Sequence, residues 1–222
     1  AKSSLALAME NSLINRGVPF FSINLEMTKE ILIKKLCCIR EGIAFDDLSD
    51  NIKDRKLYLK LMNFVAGLNS MKNYIFTDCP TGYFDLNALE LNIIKVKRKF
   101  VELGVLKNID DYMIVKIDLT SMLLDFSGQS GMDLEKPVNK LNEIAKKHNI
   151  HIINIWQANE NWMRSGHSLN TPEKCDKFVL QMADVKGGSA IGERCRQVFS
   201  INRPLHLKTQ YLSDEDKEAI KD

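Results

Sequence analysis

The segment FFSINLEM, residues 20–27, is an apolar run that is closed by an acidic side chain. With the preceding Val18 and Pro19 it predicts a short strand over 18–24. Both faces of this strand are expected to be covered, because strands buried on two sides consist of nearly continuous apolar residues. Glu26 lies just beyond the end of the strand. Ligands of open α/β sheets bind at this end of the strands, so Glu26 is a candidate site residue.

Two later segments have the same form. In IVKIDLTS, residues 114–121, an apolar run ends at Asp118, and in INIWQANE, residues 153–160, another ends just before Gln157. The carboxyl ends of parallel strands meet at one edge of a sheet. We therefore expect Glu26, Asp118 and Gln157 to lie at a common edge.

Strands and helices alternate along the chain, which predicts an α/β fold with a mostly parallel sheet and helices on both faces. Helices are expected at 4–15, 28–42, 54–69, 85–104 and 135–149. Further strands are expected at 72–78, 111–123, 150–161 and 195–204. The basic run KVKRK, residues 95–99, is expected to be the solvated face of a helix. Residues 161–183 are expected to be irregular.

The composition excludes several classes of protein. Of the 222 residues 45% are hydrophobic and 27% are charged, and the net charge is only +2, so any nucleic-acid contact would be made by loops rather than by a whole basic face. Five cysteines without a CxxC pair argue against a disulfide framework or a zinc site and indicate a reducing compartment. No apolar run approaches the roughly 18–20 residues of a membrane span. We expect a cytoplasmic protein without membrane contact.

The first residues, AKSSLALAM, allow two interpretations. Lys2 and Ser3 begin a helix, as in a phosphate-binding loop, where free amides and the helix dipole attract phosphate oxygens. The lysine would then contact the β- and γ-phosphates and the hydroxyl would bind Mg²⁺. Taken alone, the stretch fits an ordinary capped helix equally well. Its order along the chain, with Glu26, Asp118 and Gln157 following, favours the phosphate loop.

Over nearly its whole length, and in order, the chain resembles the C-terminal RecA-like motor domain of DnaB-type (superfamily 4) replicative hexameric helicases, including their phage relatives. FFSINLEMTKEILIKKLCC is similar to the family's strand ending in Ser-Leu-Glu-Met and the helix after it. The other matching segments are AKSSLALAM (end of Walker A), YMIVKIDLTSML (Walker B), LNEIAKKHNIHIINIWQANEN (Gln-x-Asn strand) and ADVKGGSAIGERCRQVFSINRP (second DNA loop). Lys116 departs from the family, whose Walker B strand is apolar.

The resemblance implies a RecA-like P-loop ATPase that uses ATP and Mg²⁺. The implied cofactor-binding residues are Ala1, Lys2, Ser3, Ser4, Asp118 and Arg203. Of these, Ser3 and Asp118 would hold Mg²⁺ and Arg203 would lie near the nucleotide base. The implied catalytic residues are Glu26, as general base, and Gln157, which would sense the γ-phosphate and couple it to DNA.

Two loops, residues 125–136 and 173–192, would face the pore of a ring. The residues expected to contact single-stranded DNA are Lys136, Lys177, Lys186, Gly187, Gly188 and Ser189. The glycines would let backbone amides approach phosphates closely, and such contacts are independent of base sequence and strongly salt-dependent. Without the resemblance, the same segments would be interpreted as surface loops with scattered lysines.

The expected function is therefore an ATP-driven replicative DNA helicase motor that translocates on single-stranded DNA as a homo-hexamer, with primase and a helicase loader as further partners. Two alternatives stay open. One is another RecA-like DNA-dependent ATPase, such as a filament-forming recombinase. The other is a non-catalytic DNA- or protein-binding relative, because Ala1 stands where the family has glycine and Lys116 interrupts the Walker B strand. We expect one domain over 1–222 that lacks the start of the Walker A loop and the last strands.

Overall fold

A computed structural model of the chain describes residues 2–48, 54–78, 84–127, 131–157, 191 and 194–199. These residues contain an all-parallel sheet of four strands: β1 (Phe20–Asn24), β2 (Tyr74–Asp78), β3 (Met113–Asp118) and β4 (Ile150–Ile155). Five α-helices accompany it: α1 (Lys2–Asn15), α2 (Lys29–Glu41), α3 (Arg55–Ser70), α4 (Leu86–Glu102) and α5 (Glu135–Lys147). The predicted α/β fold is confirmed. None of the described helices is both long enough and apolar enough to cross a bilayer.

The sheet separates two hydrophobic cores. One core, which includes Phe21, Val115 and Ile117, lies between the sheet and helices α4 and α5. The other, which includes Phe20 and Ile114, lies between the sheet and helices α1, α2 and α3. Alternate residues of each strand point to opposite faces, so each strand serves both cores. This explains why the strands are apolar throughout rather than alternating with polar residues.

The strand order β2-β1-β3-β4 places a reversal of direction between β1 and β3. From β1 the chain moves outward to β2 through α2 and α3, and then returns past β1 to β3 through α4. At such a reversal the connections on the two sides diverge and leave a crevice beyond the carboxyl ends of the strands. The fold itself therefore marks the ends of β1 and β3 as a place where a ligand can bind.

Helix boundaries follow the capping signals in the sequence. The Thr28 side chain accepts from the amide of Ile31 at the start of α2, and Gly42 ends that helix with φ at +65°. This left-handed conformation is open to glycine at little cost. Asp85 caps α4 in the same manner, since its carboxylate accepts from the Ala88 amide at 2.6 Å.

Three strand predictions need correction. The strand predicted over 111–123 ends at Asp118, because a 3₁₀ turn occupies Thr120–Met122. The strand predicted over 150–161 ends at Ile155, and its residues from 158 onward lie outside the described residues. The strand predicted from Cys195 is not formed at 195–199, where no described strand pairs with the chain. The remainder of that strand and the irregular segment 161–183 lie outside the described residues.

The prediction that residues 95–99 form a solvated helix face is wrong for Lys97. Its side chain is buried, and its ammonium donates to the backbone carbonyls of Ile109 (2.8 Å), Asp111 (2.7 Å) and His148. These carbonyls belong to the loop before β3 and to the end of α5. Burial lowers the pKa of Lys97, while the neighbouring aspartates Asp110 and Asp111 raise it. The lysine thus ties α4 to two other parts of the chain.

Candidate functional site

The carboxyl ends of the central strands are level with one another at the reversal of strand order. Asn24, the last residue of β1, is in register with Asp118 of β3 and, on its other side, with Asp78 of β2. The Leu25 amide donates a hydrogen bond of 2.6 Å to the Asp118 carbonyl, which holds the ends of β1 and β3 together. The peptide bond between Asp118 and Leu119 is cis. Polar side chains therefore end three adjacent strands at one edge.

Asp118 is buried at this edge without a hydrogen-bond partner. Its side chain is fully buried, and neither carboxylate oxygen accepts a hydrogen bond from any residue that the structure describes. Burial is the largest influence on the Asp118 pKa and raises it, the positive charge of Lys116 opposes the rise, and the negative charge of Glu26 adds to it. Because a buried carboxylate without partners is costly, the arrangement suits a cation or a donor that would complete it.

The N-terminus of α1 lies beside this carboxylate. The Ser3 hydroxyl and the Lys2 ammonium both lower the pKa of Asp118, so both groups are within electrostatic reach of it. Their side chains are half-buried, whereas that of Ser4 is exposed. The first amides of a helix have no acceptor within the helix, and the helix dipole adds partial positive charge there. The structure thus brings together Lys2, Ser3 and Asp118.

Glu26 and Gln157 lie at the same edge of the sheet with their side chains exposed. Glu26 follows β1 in a loop, and it is near enough to Asp118 for its charge to raise the pKa of that carboxyl. Gln157 lies two residues beyond the end of β4, the strand next to β3. Within the described residues, no hydrogen bond or ion pair joins Gln157 to the rest of the site. The structure therefore places Glu26 with Asp118, and Gln157 only at the same edge.

The sequence analysis missed Asn24. Its side chain is fully buried, its Nδ2 donates to the Ser22 hydroxyl at 3.2 Å, and its Oδ1 has no partner in the described part of the chain. Asn24 therefore presents a second unpaired acceptor next to Asp118. A signal was available, because Ser22 and Asn24 are two residues apart within an apolar run and so share one face of the strand.

Beneath this edge lies a buried ion pair that the sequence analysis also missed. The Lys116 ammonium donates to one carboxylate oxygen of Glu10, and the Tyr74 hydroxyl donates to the other. The side chains of Glu10 and Lys116 are both fully buried. The spacing of Glu10 from the buried Leu7 and Ile14 is helical, so the pattern places Glu10 on the inner side of α1.

The donor groups at this edge fit Mg²⁺ better than a metal held by several side chains. Among the described residues, no group of three or more His, Cys, Asp or Glu side chains could hold a metal ion. Proteins usually hold Mg²⁺ through one or two carboxylates, with waters and substrate phosphates completing the shell. The Asp118 carboxylate beside the Ser3 hydroxyl provides that kind of incomplete ligand set.

Of the residues expected to contact DNA, only Lys136 is described. It is exposed on the first turn of α5 rather than in a loop. The adjacent Glu135 accepts from Arg194 at 3.2 Å, and Ile191 is buried in the core beneath α5. The chain just after the second expected DNA loop therefore returns to the start of α5, next to Lys136.

The other expected site residues lie outside the described residues. They are Ala1, Lys177, Lys186, Gly187, Gly188, Ser189 and Arg203. Their assignments stay predictions.

The sheet and the groups at its edge define a class of protein, the RecA-like α/β ATPase fold. Two solved structures carry this comparison. One is described as the ATPase domain of a phage helicase, with a TM-score of 0.65 and 15% identity over 86% of this chain and 61% of that chain. The other is described as "The Structure Of A DnaB-Like Replicative Helicase And Its Interactions With Primase", with a TM-score of 0.65 and 16% identity over 87% of this chain and 42% of that chain.

At these identities the likeness shows the fold, and at that level the resemblance to the DnaB-type C-terminal domain is confirmed. This chain spans 61% and 42% of the lengths of the two structures. No protein-family model matches the sequence, and a search of curated proteins finds no match.

Proposed function

We propose that this chain is the ATP-hydrolysing motor domain of a replicative DNA helicase, acting in the cytoplasm of a bacterial cell or a phage-infected host. The observation that carries the proposal is the buried Asp118 carboxylate, which has no hydrogen-bond partner among the described residues and lies beside the N-terminus of α1. A phosphate group bound at that helix end, together with a cation on Asp118, would satisfy groups that are otherwise left unpaired. The fold shared with solved helicase ATPase domains supports the same conclusion.

The groups at the edge suit a nucleotide triphosphate with Mg²⁺. Lys2 and the first amides of α1 would bind phosphate oxygens, and Ser3 and Asp118 would hold Mg²⁺. When bound, Mg²⁺ neutralises negative charge on the phosphate oxygens. We assign Ala1, Ser4 and Arg203 to the nucleotide site on the resemblance alone.

Glu26 would act as the general base. It is exposed at the open side of the edge and close to Asp118, so a water beside the terminal phosphate could give it a proton. Gln157, exposed beyond β4, would contact the terminal phosphate and transmit its loss to the segment that follows. Both roles rest on placement at the edge, together with the order of these residues along the chain.

Single-stranded DNA would bind on the side where α5 begins. Lys136 is exposed there, and the ion pair between Arg194 and Glu135 returns the chain to the same place after the second loop. The remaining proposed contacts are Lys177, Lys186, Gly187, Gly188 and Ser189. We further propose a homo-hexameric ring, with primase and a helicase loader as partners.

The test is the ATPase activity of the natural full-length protein with and without single-stranded DNA. We expect DNA to stimulate turnover. Glu26→Gln should lower kcat by about 10²–10⁴-fold, the usual contribution of a general base, while leaving nucleotide affinity nearly unchanged. Glu30→Gln is the matched control, since Glu30 is an exposed glutamate in the first turn of α2, and it should retain full turnover.

Three outcomes would contradict parts of the proposal. If the protein binds DNA but shows no turnover, and Glu26→Gln changes nothing, the chain is a binding module rather than a motor. If electron microscopy shows filaments on DNA instead of rings, the protein is a recombinase-like ATPase. If Mg²⁺–ATP does not bind at all, the nucleotide site is wrongly assigned.

A further inference from the structure

The ion pair beneath the candidate site is unusual because a competing anion lies nearby. Lys116 and Asp118 are two residues apart on β3, so their side chains point to the same face of the sheet. Their Cα atoms are separated by about 6.5–7 Å, a distance that a lysine side chain can span. Nevertheless, the Lys116 ammonium donates to Glu10 of α1, and the Asp118 oxygens are left without a partner among the described residues.

Glu10 is itself held in place from two sides. Tyr74 of β2 donates to one of its oxygens and Lys116 of β3 donates to the other, so the carboxylate spans the strand between them. Burial, followed by the charge of Glu10 and the hydrogen bond to it, raises the pKa of Tyr74 well above its ordinary value, so the hydroxyl keeps its proton and remains a donor. The position of the Glu10 carboxylate is thereby determined by two strands as well as by its own helix.

We propose that Glu10 is a positioning residue that holds the Lys116 ammonium away from Asp118, and so leaves the Asp118 carboxylate free for the cation of the nucleotide site. The inference rests on the proposed function. Its physical basis is that a buried charge must be paired. If Glu10 loses its charge, the nearest buried carboxylate on the same face is Asp118, and Lys116 will turn toward it.

The first test needs no ligand, because it measures the pairing itself. Lys116→Met and Asp118→Asn are combined in a double-mutant cycle of unfolding free energies, once with Glu10 present and once in a Glu10→Gln background. We expect near-additivity with Glu10 present and clear coupling between Lys116 and Asp118 in its absence. Equal coupling in the two backgrounds would overturn the proposal.

Two further variants make this test secure. If Glu10→Gln does not fold, Glu10→Asp provides the second background, because the shorter side chain keeps the charge but weakens the contact with Lys116. Tyr74→Phe is the matched control: it removes the other hydrogen bond to Glu10 and leaves the ion pair. It should leave Lys116 and Asp118 uncoupled.

The second test measures the consequence for cation binding. Binding of a fluorescent ATP analogue is titrated with Mg²⁺, without measuring turnover. In Glu10→Gln the Mg²⁺ concentration for half-maximal binding should rise about tenfold or more, the lower end of the effect that an adjacent cation has on a carboxylate. Adding Lys116→Met to this variant should restore the wild-type value, because the competing cation is then gone.

The outcomes separate this inference from the proposed function. If wild-type protein binds no Mg²⁺–nucleotide, the proposed function fails, and the ligand-free cycle still decides whether Glu10 controls the pairing. If wild-type protein binds and Glu10→Gln weakens binding, but Lys116→Met does not restore it, Glu10 has only a structural role and the inference is wrong.

Discussion

The two faces of the sheet use buried charge in different ways. The face covered by α4 and α5 is apolar along the strands, and its buried lysine, Lys97, lies at the periphery, where it donates to three neutral carbonyls. The face covered by α1, α2 and α3 has a polar stripe on the strands themselves, in which Lys116 pairs with an anion. This stripe continues through Ser22 and Asn24 to Asp118 at the edge.

The difference separates a scaffold from a site. Neutral carbonyls can satisfy an ammonium without affecting any other charged group, so Lys97 is a structural connector. An ion pair next to an unpaired carboxylate instead affects the group that would bind a cation. If this interpretation is correct, changes on the first face should alter stability alone, and changes on the second face should also alter ligand binding.

The largest loss of stability is expected from Phe100→Ala on α4. Phe100 is fully buried in the core between the sheet and α4 and α5. Its truncation should lower the free energy of unfolding by about 3–5 kcal/mol, through lost burial and the cavity left behind. Urea unfolding measures this effect, and Leu91→Ala on the same helix, where the side chain is 58% exposed, is the control. Nucleotide affinity of the folded fraction should not change. A changed affinity would show that the two faces are coupled.

A second prediction sets Lys97 against Lys116. Lys97→Met should lower the free energy of unfolding by about 2–3 kcal/mol, because buried carbonyls lose their donor. It should leave the Mg²⁺ dependence of nucleotide binding as in the wild type. Lys95→Met, an exposed lysine on the same helix, should have no measurable effect on either quantity. The comparison of the faces would fail if Lys97→Met weakened Mg²⁺-dependent binding.

A third prediction concerns pH. Hydrogen bonds from Lys147 and then from His148 lower the pKa of Glu90 from 4.5 to about 2. A carboxyl whose pKa is lowered on folding stabilises the protein above its unfolded pKa, and this stabilisation is lost as the pH falls from about 4.5 toward 2. Since Lys147 is largely exposed and solvent screens the pair, we expect only about 1 kcal/mol.

Glu90→Gln should therefore be less stable than the wild type at pH 7, and the difference should shrink as the pH falls through this window. Thermal unfolding from pH 7 to pH 2.5 measures it. A stability difference that stays constant over the whole range would contradict the assigned ion pair.

The smallest effects are expected at two helix caps. Asp85→Ala should cost about 1 kcal/mol, because its carboxylate accepts from the Ala88 amide at 2.6 Å. Thr28→Ala should cost less, about 0.5 kcal/mol, because its contact with the Ile31 amide is 3.5 Å long. Chemical denaturation of both variants tests the order, and a larger loss at Thr28 would contradict it.

Much of the fold could be predicted because its signals are local. Thr28, Gly42 and Asp85 mark helix ends by their own side chains or backbone freedom, and the structure confirms those boundaries within a residue or two. The strand from Cys195 was predicted on the same kind of signal and is not formed at 195–199, because a strand also needs a partner strand.

The candidate site could be predicted only in part. Asp118 and Glu26 were found because they follow apolar runs, and parallel strands bring such ends to one edge. Asn24 and Glu10 were missed although each lies at a periodic position, because a polar residue within an apolar pattern does not by itself indicate burial. Lys97 was interpreted as exposed for the same reason: a basic run usually faces solvent.

The sequence by itself determined the order of strands and helices, the helix caps and the acidic groups after the strands, since each depends on residues a few positions apart. Only the tertiary structure decided which charges are buried and what they pair with. Glu10 and Lys116 are 106 residues apart, and they meet because α1 packs over β1 and β3. Burial removes water as a partner, so the charge of Lys116 must be met by whichever group the fold places beside it. In this chain that group is Glu10, and Asp118 is left unpaired.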